Sequence, residues 1–268
     1  MTRTDELFRQ AEFDRARREY ESDRRTGDLV HAPLQLARIA LLENRLADVA
    51  RELSDVKLEE SDAQMAKRLL AEAFRRQDRF GLAADQEQAL GETARTDRSR
   101  VLAELIPYAI SGAASAIVPL AQVDPLPVLE LTVNGEAATF FLDTGAWEII
   151  LDASFAARIG VEAFGDVAGR FAGGLQADLQ MGIADSIEFG SMRVANVPVL
   201  VKPMPEAAQI FGRRMDGILG TVFLYHFLST LNSADAKLVL EPRSARPSGG
   251  IPMPFWLAAS TSSSRAAG

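Results

Sequence analysis

Thr139-Phe140-Phe141-Leu142-Asp143-Thr144-Gly145-Ala146 is the stretch that decides how the second half of this chain folds. Its first four residues suit a buried strand, and Gly145 then permits a tight turn. Asp143 is therefore expected to emerge from a core into that turn. A carboxylate in such a place needs a partner, because burying one charge alone costs several kcal/mol.

A second carboxylate can be that partner. Two carboxyl groups about 3 Å apart cannot both ionise, so one of them keeps a proton. Such a pair can activate a water as general base and protonate a leaving group as general acid. Its pKa values belong to the pair and not to either residue. This chemistry would make Asp143 catalytic.

Alternating apolar and polar residues surround this turn and predict further strands. Residues 129–133 alternate, and Asn134-Gly135 after them indicates a two-residue hairpin leading into the Asp143 strand. We predict other strands at 149–151, 175–181, 186–189, 197–201 and 237–241, and helices at 153–159 and 221–231. The region is thus predicted to be mostly β with two short helices.

Residues of about 120–243 resemble the retropepsin-like aspartic protease family, in its bacterial members with a single Asp-Thr-Gly-Ala unit. The resemblance rests on Phe141 to Ala146 and on Gly217-Ile218-Leu219-Gly220, which begins 74 residues after Asp143. It implies a mostly β acid protease barrel equivalent to half of pepsin. The implied activity is that of an aspartic endopeptidase, with no cofactor and no metal.

The resemblance also implies roles for single residues. Asp143 would be the catalytic carboxylate, Thr144 would brace paired turns across a dimer interface, and Gly145 and Ala146 would complete the turn. Ile218, Leu219 and Gly220 would support the turn as a ψ-shaped loop.

Two further features are left open by the sequence. Ala172, Gly173 and Gly174 fall where the family has its mobile flap, although paired glycines also suit an ordinary hairpin turn. Trp147 departs from the family pattern, since a small or polar residue commonly follows the Ala. It could line a substrate subsite or pack against the neighbouring helix.

The chain supplies one Asp turn where the family's active site needs two. A homodimer is therefore expected, with Asp143 from each chain at the two-fold axis and a peptide or protein as substrate. Residues 251–257 could instead be the stump of a second, tandem unit. The alternative function is a non-catalytic interaction protein, in which a β domain dimerises and helical repeats bind a protein partner.

Residues 5–100 are predicted to be helical, with a weak internal repeat. Ala37 and Leu46 have counterparts 34 residues later in Ala71 and Phe80, a period that resembles the tetratricopeptide repeat. An irregular helical bundle is the alternative. We therefore predict a helical repeat domain at 1–100, a linker at 101–122, a protease domain at 123–243 and a flexible tail at 244–268.

Composition excludes several other classes of function. The formal net charge is −8 and neither half is basic, so the electrostatic footprint of a nucleic-acid-binding protein is missing. Cysteine is absent, and the two histidines, His31 and His226, lie far apart, which argues against thiolate or histidine metal sites and serine or cysteine triads. With no apolar leader and no span-length apolar run, a cytoplasmic protein is expected.

Overall fold

The computed structural model describes residues 3–26, 31–54, 56–170, 176–251 and 253. Within them the chain divides into two compact units, one ending at Ser99 and one running from Arg100 to Ile251. The first is helical and the second is mostly β, as the sequence predicts. Most of the expected tail, from 252 onward, lies outside the described residues. None of the helices in the described ranges is long and apolar enough to cross a membrane.

The helical unit consists of short helices joined by tight turns. They are α1 Arg3–Arg9, α2 Phe13–Thr26, α3 Ala32–Leu42, α4 Leu46–Leu53, α5 Glu60–Arg75, α6 Phe80–Ala89 and α7 Thr93–Glu104, the last of which runs on into the second unit. Asn44 and Asp78 adopt left-handed backbone angles (φ 55° and 58°) between α3 and α4 and between α5 and α6. These are the two turns predicted from the internal repeat. The tetratricopeptide assignment itself stays a prediction.

Buried charges connect three of these helices. The Glu72 carboxylate accepts from Arg75 Nη2 at 2.6 Å and from Arg76 Nε at 2.8 Å, while Arg76 Nη1 donates to the Leu41 carbonyl at 3.1 Å. Arg75 also contacts Glu87, which is fully buried on α6. Burial opposes ionisation of Glu72, but the two arginines outweigh it and hold the pKa of Glu72 below its ordinary value. The network fixes α3, α5 and α6 relative to one another.

The second unit is a sheet closed on itself. Its strands are β1 Ala109–Gly112, β2 Ala116–Gln122, β3 Val128–Val133, β4 Glu136–Leu142, β5 Ile149–Asp152, β6 Asp166–Arg170, β7 Gln176–Phe189, β8 Met192–Lys202, β9 Gly217–Leu219, β10 Phe227–Asn232 and β11 Lys237–Pro242. The short helices are α8 Ala153–Arg158, α9 Pro205–Phe211 and α10 Thr221–Leu224.

Hydrogen-bonded neighbours follow the order β10-β11-β2-β3-β4-β9-β5-β8-β7-β6, and β1 adds to β8. β3 also pairs with β7, with Val133 opposite Ile187, and this closes the strands from β3 to β7 in that order into a barrel. Val133, Phe140, Leu151, Ile187 and Val199 are fully buried and form part of its core.

The hairpin predicted at Asn134-Gly135 is confirmed. Both residues have positive φ (49° and 84°), the geometry of a type I′ turn, and Val133 pairs with Glu136 across it. The turn therefore sets the register of β3 and β4, and with it the position at which Asp143 leaves the sheet.

Two expectations from the sequence differ from the structure. Residues 101–122, expected as a linker, contain β1 and β2, and β2 lies between β11 and β3. Its alternation was hidden because the outward-facing Ile117 is as apolar as the buried Val118. The helix expected at 221–231 ends at Leu224, and its second half is β10, because Phe227 to Asn232 pair in register with β11.

Candidate active site

Three strands cross to build the surroundings of Asp143. β9 pairs in parallel with β4, with Phe141 opposite Ile218, and antiparallel with β5, with Ile150 also opposite Ile218. The three-residue β9 is thus inserted between two strands that come long before it in the chain. Asp143 follows the end of β4 directly, beside the end of β9.

Glycine is required on both sides of β9. A Cβ on Gly217 would lie 2.4 Å from the Phe140 ring and 2.8 Å from the Ile150 carbonyl oxygen. A Cβ on Gly220 would lie 2.4 Å from the Glu148 carbonyl oxygen. Backbone therefore approaches backbone more closely than any side chain allows.

The Asp143 carboxylate is held in one orientation. Its Oδ1 accepts a hydrogen bond from the Gly145 backbone N–H at 2.7 Å. The Asp143 N–H donates to the Leu219 carbonyl at 3.2 Å, and the Asp143 carbonyl accepts from the Ala146 N–H at 3.1 Å. The residue is half-buried, so one carboxylate oxygen is fixed by the turn while the group remains reachable from outside.

Residues 129–223 match the family model described as aspartyl protease. This part of the chain is similar to the aspartyl proteases. The match contains both the Asp143 turn and Gly217 to Gly220, and it confirms the resemblance seen in the sequence. No curated protein matches the chain.

Two solved structures are similar to parts of the chain. One is a retropepsin-like aspartic protease from Rickettsia conorii, with 18% identity and a TM-score of 0.34, covering 51% of this chain and 94% of that one. The other is the EIAV protease in complex with the inhibitor HBY-793, with 20% identity and a TM-score of 0.29, covering 38% and 88%.

The aspartyl protease-like turn is tied to the chain that follows β9. The Ala146 carbonyl accepts from both the Thr221 N–H and the Thr221 hydroxyl at 2.9 Å, and the Trp147 carbonyl accepts from the Val222 N–H at 2.9 Å. Thr144 and Gly145 are exposed. Sequence reasoning missed Thr221, because nothing in its local pattern points to residues 75 positions earlier.

The flap expected at Ala172, Gly173 and Gly174 lies outside the described residues. The strands on either side of it, β6 and β7, pair with each other from Asp166 opposite Gln180 to Arg170 opposite Gln176. The flap assignment therefore stays a prediction.

Trp147 and His226 both make aromatic contacts within the unit. The Trp147 ring meets Tyr225 edge-on with centroids 6.2 Å apart, and the His226 ring stacks on Tyr108 at 3.8 Å. These contacts favour packing for both side chains. In the part of the chain that the structure describes, no group of three or more His, Asp or Glu side chains is arranged to hold a metal ion.

Asp216 braces the sheet from the loop before β9. Its Oδ2 accepts from the Thr139 N–H at 3.0 Å, and its own N–H donates to the Thr139 carbonyl at 2.8 Å. Arg214 and Arg158 lie 3.5 and 3.8 Å from its Oδ1. These contacts agree with the interpretation of Asp216 as a loop residue.

Asp152, at the end of β5, was not singled out in the sequence. Its Oδ1 caps α8 by accepting from the N–H groups of Ser154 and Phe155, and its Oδ2 accepts from the Met204 N–H at 3.1 Å. Burial opposes ionisation of Asp152, but the Ser154 hydroxyl and these backbone N–H groups outweigh it and lower the pKa of Asp152. An Asp before an apolar helical segment is an N-cap signal that could have located it.

Proposed function

We propose that the protein is one subunit of an aspartic endopeptidase whose active site is shared by two identical chains. The observation that carries the proposal is the half-exposed Asp143, fixed at the end of a buried strand within the segment that matches the aspartyl protease family. The sequence holds a single Asp-Thr-Gly turn. The partner carboxylate must therefore come from a second copy.

The chemistry follows from bringing the two Asp143 carboxyls together. At about 3 Å they hold one proton between them, so the pair contains one base and one acid. The ionised member takes a proton from a water that attacks the peptide carbonyl, and the protonated member donates to the carbonyl oxygen and later to the leaving nitrogen. The Gly145 N–H that bonds Oδ1 favours the ionised form of its carboxylate.

The remaining residues of the site serve this pair. Exposed Thr144 is free to meet the same turn of a second copy, while Gly145 and Ala146 shape the turn. Ile218, Leu219 and Gly220 support it from β9 through the Leu219 carbonyl. Ala172 to Gly174 would close over a bound peptide as the flap.

Asp143→Asn tests the catalytic role. The amide keeps the shape of the carboxylate but cannot take the proton, so hydrolysis of unfolded casein should fall at least about a hundredfold. Asp185→Asn is the matched control, because Asp185 is exposed on β7 and the chemical change is the same. The assay runs with a chelator present and with and without a pepstatin-type inhibitor. Activity of the Asp143 variant at the level of the Asp185 variant would refute the mechanism.

Mixing tests the shared site. Wild-type protein at fixed concentration is equilibrated with an equal amount of the Asp143→Asn chain, and random pairing should leave about half of the original activity. A ninefold excess should leave about one tenth. The Asp185→Asn chain should not lower activity at either ratio. Activity that stays constant while Asp143→Asn chains are added would show that each chain works alone.

A further inference from the structure

An apolar row runs across the sheet directly beside Asp143. Register places one residue from each of five neighbouring strands in line: Val128 opposite Phe141, Phe141 opposite Ile218, Ile218 opposite Ile150, and Ile150 opposite Leu200. Paired residues project from the same face of a sheet. All five belong to one apolar cluster.

Asp143 projects from the same face as this row. Side chains alternate along a strand, so Phe141 and Asp143 share a face while Phe140 and Leu142 point to the other. The alternation extends to Asp143 because its N–H still bonds the neighbouring strand at Leu219. A peptide lying against Asp143 would therefore place a neighbouring side chain over Phe141 and Ile218.

A segment of the chain already occupies that position. Met204, Ala207, Phe211 and Met215, from α9 and the residues flanking it, pack onto the row. The Phe211 ring lies 4.9 Å from the Phe141 ring at an angle of 32°. The cover leaves Phe141 only 8% exposed, although Asp143 two residues later is half-buried.

The cover has little stability of its own. α9 has seven residues, no side-chain cap at its N-terminus, and a left-handed Gly212 (φ 65°) directly after it. A helix this short does not persist without packing. Its other side faces water, with Ile210 62% exposed. The segment is therefore held by the apolar row beneath it and by its two ends.

Both ends are fastened to one carboxylate. Asp152 Oδ2 accepts from the Met204 N–H at 3.1 Å, where the segment begins. Arg214, where it ends, places Nη2 3.5 Å from Asp152 Oδ1 and donates to the Ser154 hydroxyl at 2.8 Å. Arg214 is half-exposed, so this fastening is weak enough to open.

We propose that residues 204–215 form a displaceable cover, latched by Asp152 and Arg214, over an apolar site that takes a large apolar side chain of a peptide substrate. The proposal rests on the proposed peptidase function for the nature of the ligand. It adds that the substrate competes with α9 for the row formed by Phe141, Ile218 and Ile150.

The latch is tested by backbone hydrogen exchange in residues 205–211 of the full chain. Arg214→Gln removes the charged fastening, and exchange there should become about two- to fivefold faster, the factor that an exposed ion pair supplies. Arg213→Gln is the matched control, because the neighbouring Arg213 is exposed and undergoes the same change. It should exchange at the wild-type rate.

Competition for the row is tested with a peptide that cannot be cleaved. A hexapeptide with a reduced Phe–Phe bond, added to the wild type, should speed exchange in 205–211, and the same peptide with Ser–Ser should not. Failure of either the Arg214 or the Phe–Phe result overturns the cover. Casein cleavage is scored separately: a chain that does not cleave but gives both exchange results refutes the peptidase proposal and retains the cover.

Discussion

Gly220→Ala should destabilise the β unit and disturb the Asp143 turn together. The added Cβ would lie 2.4 Å from the Glu148 carbonyl oxygen and 2.8 Å from that of Trp147. Both neighbours are backbone atoms, so no side chain can swing aside. To reach a tolerable contact of about 3 Å, the strands must separate by about 0.6 Å.

The cost follows from the hydrogen bonds beside Gly220. The Thr221 N–H to Ala146 carbonyl and Val222 N–H to Trp147 carbonyl bonds are both 2.9 Å long. A separation of about 0.6 Å stretches them to the limit of hydrogen bonding. Losing two such bonds costs about 1–3 kcal/mol of unfolding free energy. The same movement pulls the Leu219 carbonyl from the Asp143 N–H, so peptidase activity should fall as well.

Urea unfolding followed by tryptophan fluorescence measures this cost. The chain has two tryptophans, and a Trp256→Phe background leaves Trp147, next to the turn, as the reporter. Gly249→Ala is the control, because a Cβ there meets nothing within 4 Å. Its unfolding midpoint should match that of the background chain. If Gly220→Ala unfolds at the same urea concentration as Gly249→Ala, the close approach of β9 and β5 is not the constraint described here.

Three further outcomes are expected. Asp152 has a lowered pKa in the folded state, so its stabilising contribution is present above the unfolded value of about 3.9 and disappears as pH falls through the folded value; the difference in melting temperature between wild type and Asp152→Asn should shrink on acidification, and a constant difference would contradict this. Glu72→Gln should cost the helical unit about 3–5 kcal/mol, because Arg76 remains buried beside a neutral group, whereas exposed Glu19→Gln should be neutral by circular dichroism. Gly135→Ala should lower the unfolding free energy of the β unit by about 1 kcal/mol, because φ is 84° there, and an unchanged urea midpoint would count against the type I′ turn.

Local signals in the sequence predict the local parts of the site. Asn134-Gly135 fixes a hairpin through its own backbone preferences, and Asp143 to Ala146 form a turn within four residues. What the sequence does not reveal is contact across long separations. Thr221 bonds Ala146 and Asp216 bonds Thr139 from more than 70 residues away, and no local pattern marks these pairs.

The misread segments have physical reasons of their own. β2 looked like a featureless apolar run because its outward residues, such as Ile117, are apolar too. Residues 227–231 looked helical until pairing with β11 decided their state, since tertiary context overrides propensity. α9 escaped notice because it is a single short helix that depends on the row beneath it for its structure.

The late position of β9 in the chain has a consequence for biosynthesis. The Asp143 turn is completed by the Leu219 carbonyl and by Thr221, which leave the ribosome more than 70 residues after Asp143. A nascent chain that ends before Gly217 has β4 and β5 but nothing to insert between them. The carboxylate can therefore be set in its working geometry only when most of the protein has been made. Connectivity alone delays the appearance of the site until the helical unit has long been free to fold.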